Sequence, residues 1–242
     1  MSMRSLRVLA LDASSSACSV ALWQGQAGCA GAISGHYEVA PRQHMRKLLP
    51  MVDAVLAEAG ITLDDVDALA YGVGPGSFTG LRIAAGTAQG LAFGANKPLI
   101  GISTLAALAL QACRDGESGQ VCAALDARMD EIYVGCFAVD SASGSPRVTA
   151  LDQERVIAPQ HLSLPEGNVM AIGAGFNYLD RMPEQVQKQL VLHSKDVEPD
   201  AREIAQLAVL ELAAQRSKAP AEVQPVYLRN NVAQRSTRGP LD

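Results

Sequence analysis

Aromatic residues are scarce in this chain: one tryptophan, four phenylalanines and five tyrosines, 4% of 242 residues. A core without large rings closes on small aliphatic side chains meshed at short range, and alanine, glycine, leucine and valine dominate the composition. Also missing is any excess of positive charge. With 20 Lys and Arg against 25 Asp and Glu the net charge is −5, which denies the chain the electrostatic footprint that holds a nucleic-acid backbone unaided. No apolar run approaches the roughly 20 residues that cross a bilayer. Asp12 interrupts the only apolar candidate near the start, so a cytoplasmic protein with no membrane partner is expected. The five cysteines form no C-x-x-C pair, and no two of His36, His44, His161 and His193 are four residues apart. The common metal spacings are therefore excluded, leaving only a composite site from distant residues, and the cysteines suit reduced, mostly buried thiols. Cys122 and Cys136 are expected to face each other across a hairpin.

What is present describes a folded protein, with a hydrophobic fraction of 48% and a charged fraction of 19%. Strand patterns alternate with helical ones, which indicates an α/β fold with parallel strand pairs. Arg7 to Leu11 and Cys18 to Trp23 form a strand–turn–strand unit, and Val121 to Leu125 with Ile132 to Val139 repeat it about half a chain later. In both copies Leu-Asp-Ala ends the first strand, at Leu11 to Ala13 and at Leu125 to Ala127. A repeat of that period suggests a duplicated lobe. The expected division is residues 1–102, residues 103–216 and a tail at 217–242, where Arg229, Arg235 and Arg238 read as a solvated basic cluster.

A third strand ends near Gly35, and a helix from Arg42 to Ala59 carries Met45, Leu48, Leu49, Val52, Val55 and Leu56 on one stripe. Pro50 should kink it, because proline deletes a backbone donor. A helix from Asp200 to Arg216 opens with Asp200 as N-cap and Glu203 at capping-box distance. Between lies "YGVGPGSFTGLRIAAGTAQGLAFG", Tyr71 to Gly94, with seven glycines. It has no lysine for a P-loop, Ser77 stands where a dinucleotide fingerprint needs its third glycine, and Pro75 and Thr79 flank Ser77 where a nucleophile elbow needs glycines. An anion at the helix N-terminus remains open. Gly80, Ala84, Ala88 and Ala92 recur every four residues, with Gly86 and Gly90 as a second small pair. Two readings follow for this helix: one wholly covered by its own domain, or an exposed apolar patch that binds a partner together with Met51 and Ala54. Asp12, followed by three serines, suits either Mg²⁺ held through water beside phosphates or an Asx turn. Asp126, with Arg128 two residues on, suits the turn.

Taken together, "LALDASSSACSVAL", "HMRKLLPMV", "GVGPGSFTGLRIAAGTAQGLA", "DARMDEIYV" and "VYLRNNVA" resemble, in order, the motifs of the TsaB family, also called YeaZ, from Val8 to Ala233. The resemblance implies an actin-like ATPase-superfamily (ASKHA) fold of two similar lobes, each a mixed sheet flanked by helices. It implies a cytoplasmic, non-catalytic scaffold without a cofactor that pairs with a TsaD-like paralogue and a TsaE-like ATPase. In that complex the threonylcarbamoyl group passes from threonylcarbamoyl-AMP to N6 of the adenosine beside the tRNA anticodon. It also implies a homodimer through the same face when alone, and contact with tRNA only within the complex. The family face corresponds here to Met45, Leu48, Met51 and Val52 on the first helix, and to Phe78, Leu81, Arg82, Ala84, Ala85 and Ala88 on the second. Asp12, Ser14, Gly173 and Gly175 correspond to a vestigial nucleotide site, with "DAS" where the family commonly has "DTS". The alternative functions are an actin-like ATPase or phosphotransferase using Asp12 and Mg-ATP, and a protease; the protease lacks both a nucleophile elbow and a metal pair.

Overall fold

The computed structural model describes residues 5–114, 116–141 and 145–229. Strands β1 (Leu6–Asp12), β2 (Ala17–Gly25) and β3 (Ala32–Val39) lead into helix α1 (His44–Glu58). Strand β4 (Ala68–Gly74), helix α2 (Phe78–Gly94) and strand β5 (Leu99–Ser103) then form a β-α-β unit, and α3 (Thr104–Gln111) follows. The second half opens with β6 (Gly119–Arg128) and β7 (Glu131–Asp140), then β8 (Arg147–Ala150), β9 (Arg155–Ile157) and β10 (Val169–Ile172). It closes with α4 (Glu184–Gln189), β11 (Leu190–Ser194) and α5 (Ala201–Ala213).

The first sheet has the order β3-β2-β1-β4-β5 and the second β11-β10-β6-β7-β8, with β9 also on β7. Read from the hairpin side, the two orders match strand for strand. In each, an antiparallel hairpin (β1/β2, β6/β7) is extended by two parallel strands. The repeated Leu-Asp-Ala therefore marks a repeated sheet.

Alternation along β1 sets the layering. Val8 and Ala10 pack with α3, α5 and one face of the second sheet. Leu9 and Leu11 point the other way, into a core closed by α1 and α2. The far face of the second sheet packs Cys122, Ala124 and Val134 against Phe176, Met182 and Val186. Five layers result, helices–sheet–helices–sheet–helices. The middle layer is exchanged: α3, which follows the first sheet, packs on β6 and β7, while α5, which follows the second, packs on β1, β2, β4 and β5. The two sheets part after β5, which ends at Ser103, while α3 and α5 are shared between them.

Several local expectations are modified. Gly35 lies inside β3, because a Cβ there would sit 2.5 Å from the Val20 carbonyl oxygen. Helix α1 continues past Pro50 to Glu58, and Pro50 and Arg46 both lie on its exposed side, where the carbonyl that loses its donor is least costly. It ends in a Schellman turn, with Gly60 at φ +65° and the Ile61 amide donating to Leu56 O at 3.1 Å. Asp200 caps α5 by accepting from the Arg202 amide at 3.0 Å, but Glu203 closes no capping box. Its buried carboxylate takes Arg114 from the end of α3 through Nε at 2.5 Å and Nη2 at 2.8 Å, a stronger, charge-assisted partner. Cys18, Cys113, Cys122 and Cys136 are buried free thiols and Cys29 is exposed. Cys122 does pair with Cys136 across β6/β7.

Candidate functional site

The glycines that open α2 seat it on the turn between β1 and β2. A Cβ at Gly76 would stand 2.4 Å from Ser14 O, and one at Gly80 1.9 Å from Ala13 O. Only glycine permits that approach. The Ser77 amide donates to Ser14 O at 2.6 Å, and the Ser77 hydroxyl accepts from the Gly80 amide at 3.4 Å. Two donors that an anion would need are thereby committed within the chain. The Gly-Pro-Gly turn is a packing device.

Past that turn, the small-residue stripe faces inward, which corrects one expectation. Gly80, Ala84, Ala85 and Ala88 are buried with Leu81, because their small side chains let α2 lie close on β4. Leu48 and Val52 of α1 are likewise in the core. None of Leu48, Val52, Leu81, Ala84, Ala85 and Ala88 presents a side chain to a partner. Met51 is half-buried at the edge of the same core, whereas Met45 (76% exposed), Phe78 (51%) and Arg82 lie outside. On α2 the outward line is Phe78, Arg82, Gly86, Gly90 and Phe93, the last 82% exposed. A Cβ at Gly86 or Gly90 would meet nothing within 4 Å. The outer face of the two helices thus combines exposed Met45, Leu49, Phe78 and Phe93 with two glycines that their own fold does not require.

Beside this face a cleft of about 720 Å³ opens between the β1–β2 turn, the start of α2 and the β6–β7 turn, lined by Ser14, Ser15, Arg42, His44, Ser77 and Asp126 among others. His44 reaches Ser15 O through Nε2 at 3.0 Å, which ties the start of α1 to the same turn. Asp12 does not line the cleft. It is wholly buried, and Oδ2 accepts from the Ser14 amide at 3.0 Å and its hydroxyl at 2.9 Å. Its Oδ1 is without a partner and packed where a Cβ of Gly72 would be, 2.1 Å away. Burial, against the Ser14 bonds and assisted by Glu198 and Asp200, pushes its pKa up to about 7. That geometry is the Asx turn, with the carboxylate wholly buried. Asp126 makes the same turn, accepting from the Arg128 amide at 2.7 Å. Gly173 and Gly175 abut β6: their Cβ atoms would lie 2.3 Å from Ala124 O and 2.6 Å from Ala124 Cβ. Among the described residues no three His, Cys, Asp or Glu side chains converge as metal ligands, and no helix is long and apolar enough to cross a membrane.

The C-terminal segment, quoted in the sequence only as the "VYLRNNVA" motif within a tail, is packed over residues 223–229. Residues 223–229 run back across the first half of the molecule. The Tyr71 hydroxyl and Gln89 Nε2 donate to Val223 O at 3.1 and 2.9 Å, and the Val226 amide donates to Val73 O at 2.8 Å. Tyr227 packs on Phe78 with ring centroids 5.3 Å apart, and Arg82 lies over the other ring at 4.0 Å from its centroid. Arg229, expected as part of a solvated cluster, is held by Glu131 with its side chain only 16% exposed. Arg235 and Arg238 lie outside the described residues. The signal was the apolar "VYL" run in a stretch assigned to solvent.

Residues 36–237 match the family model described as TsaD, tRNA N6-adenosine threonylcarbamoyltransferase. The chain is 39% identical over 238 residues to the tRNA threonylcarbamoyladenosine biosynthesis protein TsaB of Escherichia coli K12, covering 97% of this chain and 99% of that one. Its counterpart of the same name in Haemophilus influenzae is 37% identical over 246 residues, covering 98% and 99%. Among solved structures, YeaZ from Pseudomonas aeruginosa superposes with a TM-score of 0.83 at 40% identity, covering 92% of this chain and all of that one.

Proposed function

This chain belongs to the TsaB family of tRNA threonylcarbamoyladenosine biosynthesis proteins, and from that premise we propose that it acts as a non-catalytic subunit. Its α1/α2 face docks a TsaD-like paralogue, which with a TsaE-like ATPase transfers the threonylcarbamoyl group to N6 of the adenosine beside the anticodon. The observation that carries this reading is the set of exposed apolar side chains on the two helices, Met45 and Leu49 on α1 and Phe78 and Phe93 on α2, with Gly86 and Gly90 exposed on the same line of α2 as its phenylalanines. Exposed helix-interior glycine costs about 1 kcal/mol relative to alanine. Two of them with open space above serve the close approach of another helix, and the apolar residues around them supply the burial that holds it.

The same face is available to a second copy, so the chain alone is a homodimer that the paralogue displaces. With a net charge of −5 the protein contributes little to holding tRNA, which is gripped through the assembled complex in the cytoplasm. The phosphotransferase alternative loses support at Asp12, whose carboxylate is wholly buried and does not line the cleft.

Light scattering on a size-exclusion column tests the proposal. The chain alone is expected at twice its monomer mass, and an equimolar mixture with the paralogue at the mass of a 1:1 complex. A monomer that ignores the paralogue, with the ATPase and nucleotide supplied, would overturn it.

A further inference from the structure

The tip of the β6–β7 hairpin is strained. Arg128, Met129 and Asp130 follow one another at φ of +62°, +56° and +62°, a left-handed run of three non-glycine residues that costs about 1–2 kcal/mol at each position. Met129 and Asp130 form the two-residue loop of the hairpin, which calls for positive φ at both positions, but neither is the glycine that takes it at low cost and Arg128 adds a third, so contacts from outside the turn help to hold it. One hold is Arg181, whose Nη1 donates to Asp130 Oδ1 at 2.8 Å. The other comes from the far side of the cleft. Arg229 donates to Glu131 and to Arg128 O at 3.3 Å, and its Nη1 approaches Met129 Sδ at 3.5 Å.

Arg229 lies just beyond Val223 and Val226, through which the chain is pinned to β4 and α2. Val226, Tyr227, Leu228 and Arg229 line the cleft on one side, and Arg128 and Met129 line it on the other. One side chain therefore bridges the cleft mouth between the first sheet's helices and a strained turn of the second.

We propose that residues 223–229 form a releasable clasp, in which Arg229 holds the β6–β7 tip in its left-handed conformation and so ties the two sides of the cleft together. When Arg229 lets go, the tip relaxes toward an unstrained turn and the strap loosens on Phe78 and Arg82, so cleft and helical face open together. The bridge and the strain oppose each other: charge-assisted hydrogen bonds at a partly buried guanidinium hold residues whose side chains disfavour positive φ.

Amide hydrogen exchange by NMR on the full chain tests this without any partner, so the result is independent of the docking proposal. In Arg229→Ala the Val226 amide, bonded to Val73, and the Arg128 amide, bonded to Asp126, are expected to exchange about tenfold faster together. Core amides of β1 such as Leu9 should keep their rates. Glu131→Gln weakens the same bridge from the other side and should give the same paired change, which also serves if Arg229→Ala does not fold. The exchanged pair Arg229→Glu with Glu131→Arg should return both amides toward wild-type rates. The proposal is overturned if either single variant leaves Val226 and Arg128 at wild-type rates, or if exchange rises uniformly through the core.

Discussion

Asp12 is a buried carboxyl that gives one oxygen to Ser14 twice and keeps the other without a partner. Desolvation is the largest influence on it, raising its pKa from 3.8 to about 7. Between about pH 4 and 7 the folded chain accordingly holds a proton there that the unfolded chain releases. That stabilising contribution is complete below about pH 4 and is lost as pH rises through 7. Asp12→Asn removes the titration while keeping an oxygen for Ser14. Its stability relative to the parent is expected to move in the variant's favour from pH 5 to pH 7, by at most about 1.4 kcal/mol per pH unit. Melts at several pH values check this; a difference independent of pH would mean that Asp12 stays ionised in the fold. The type of turn at Asp12 was legible from Asp followed by serines. Its direction was not, because Gly72, the residue that makes room for Oδ1, belongs to a strand sixty residues on.

Along α2 the two small-residue lines have opposite fates, and they predict opposite mutational signs. Ala88 is buried against the first sheet, so Ala88→Arg places a charge in a dry core and should prevent folding. Gly86 and Gly90 have open space at Cβ, so Gly86→Gln should raise monomer stability by about 0.5–1 kcal/mol through helix propensity. The same substitution should weaken dimerisation and binding to the paralogue at least about tenfold, by holding the helices apart. Urea unfolding and light scattering on one sample separate the two effects. Increased stability with undiminished association would remove Gly86 from the interface. The sequence showed both lines at four-residue spacing, but spacing alone does not say which meets a sheet, since α2 is apolar almost all round.

At the scale of the whole molecule, the exchanged middle layer makes the halves interdependent. Arg114, at the end of α3, neutralises Asp200 and Glu203 at the start of α5, joining the helix on each sheet to the helix on the other. Arg114→Ala leaves a nearly inaccessible Glu203 without its cation and should cost about 3 kcal/mol. Burial already raises the Glu203 pKa, against Arg114. Removing the arginine raises it further, so the loss should shrink as pH falls and the carboxyl protonates. The chain should still unfold in one transition, because no sheet has its own complete set of covering helices; two separated transitions in calorimetry would show that the lobes are independent.

By itself the sequence determined the repeat, the α/β alternation of its first half, the lack of the common metal-ligand spacings and the family. These rest on local pattern: period-two and period-3.6 alternation, turn residues, and motifs whose spacing is fixed along the chain. Only the tertiary structure decided what depends on residues far apart. It turned Ala84 and Ala88 inward and Gly86 and Gly90 outward, seated Gly76 and Gly80 on the Ser14 turn, exchanged α3 and α5 between the sheets, and carried Arg229 across to Glu131. Each of those outcomes is set by which surface arrives opposite a side chain, and that is a property of the packed layers.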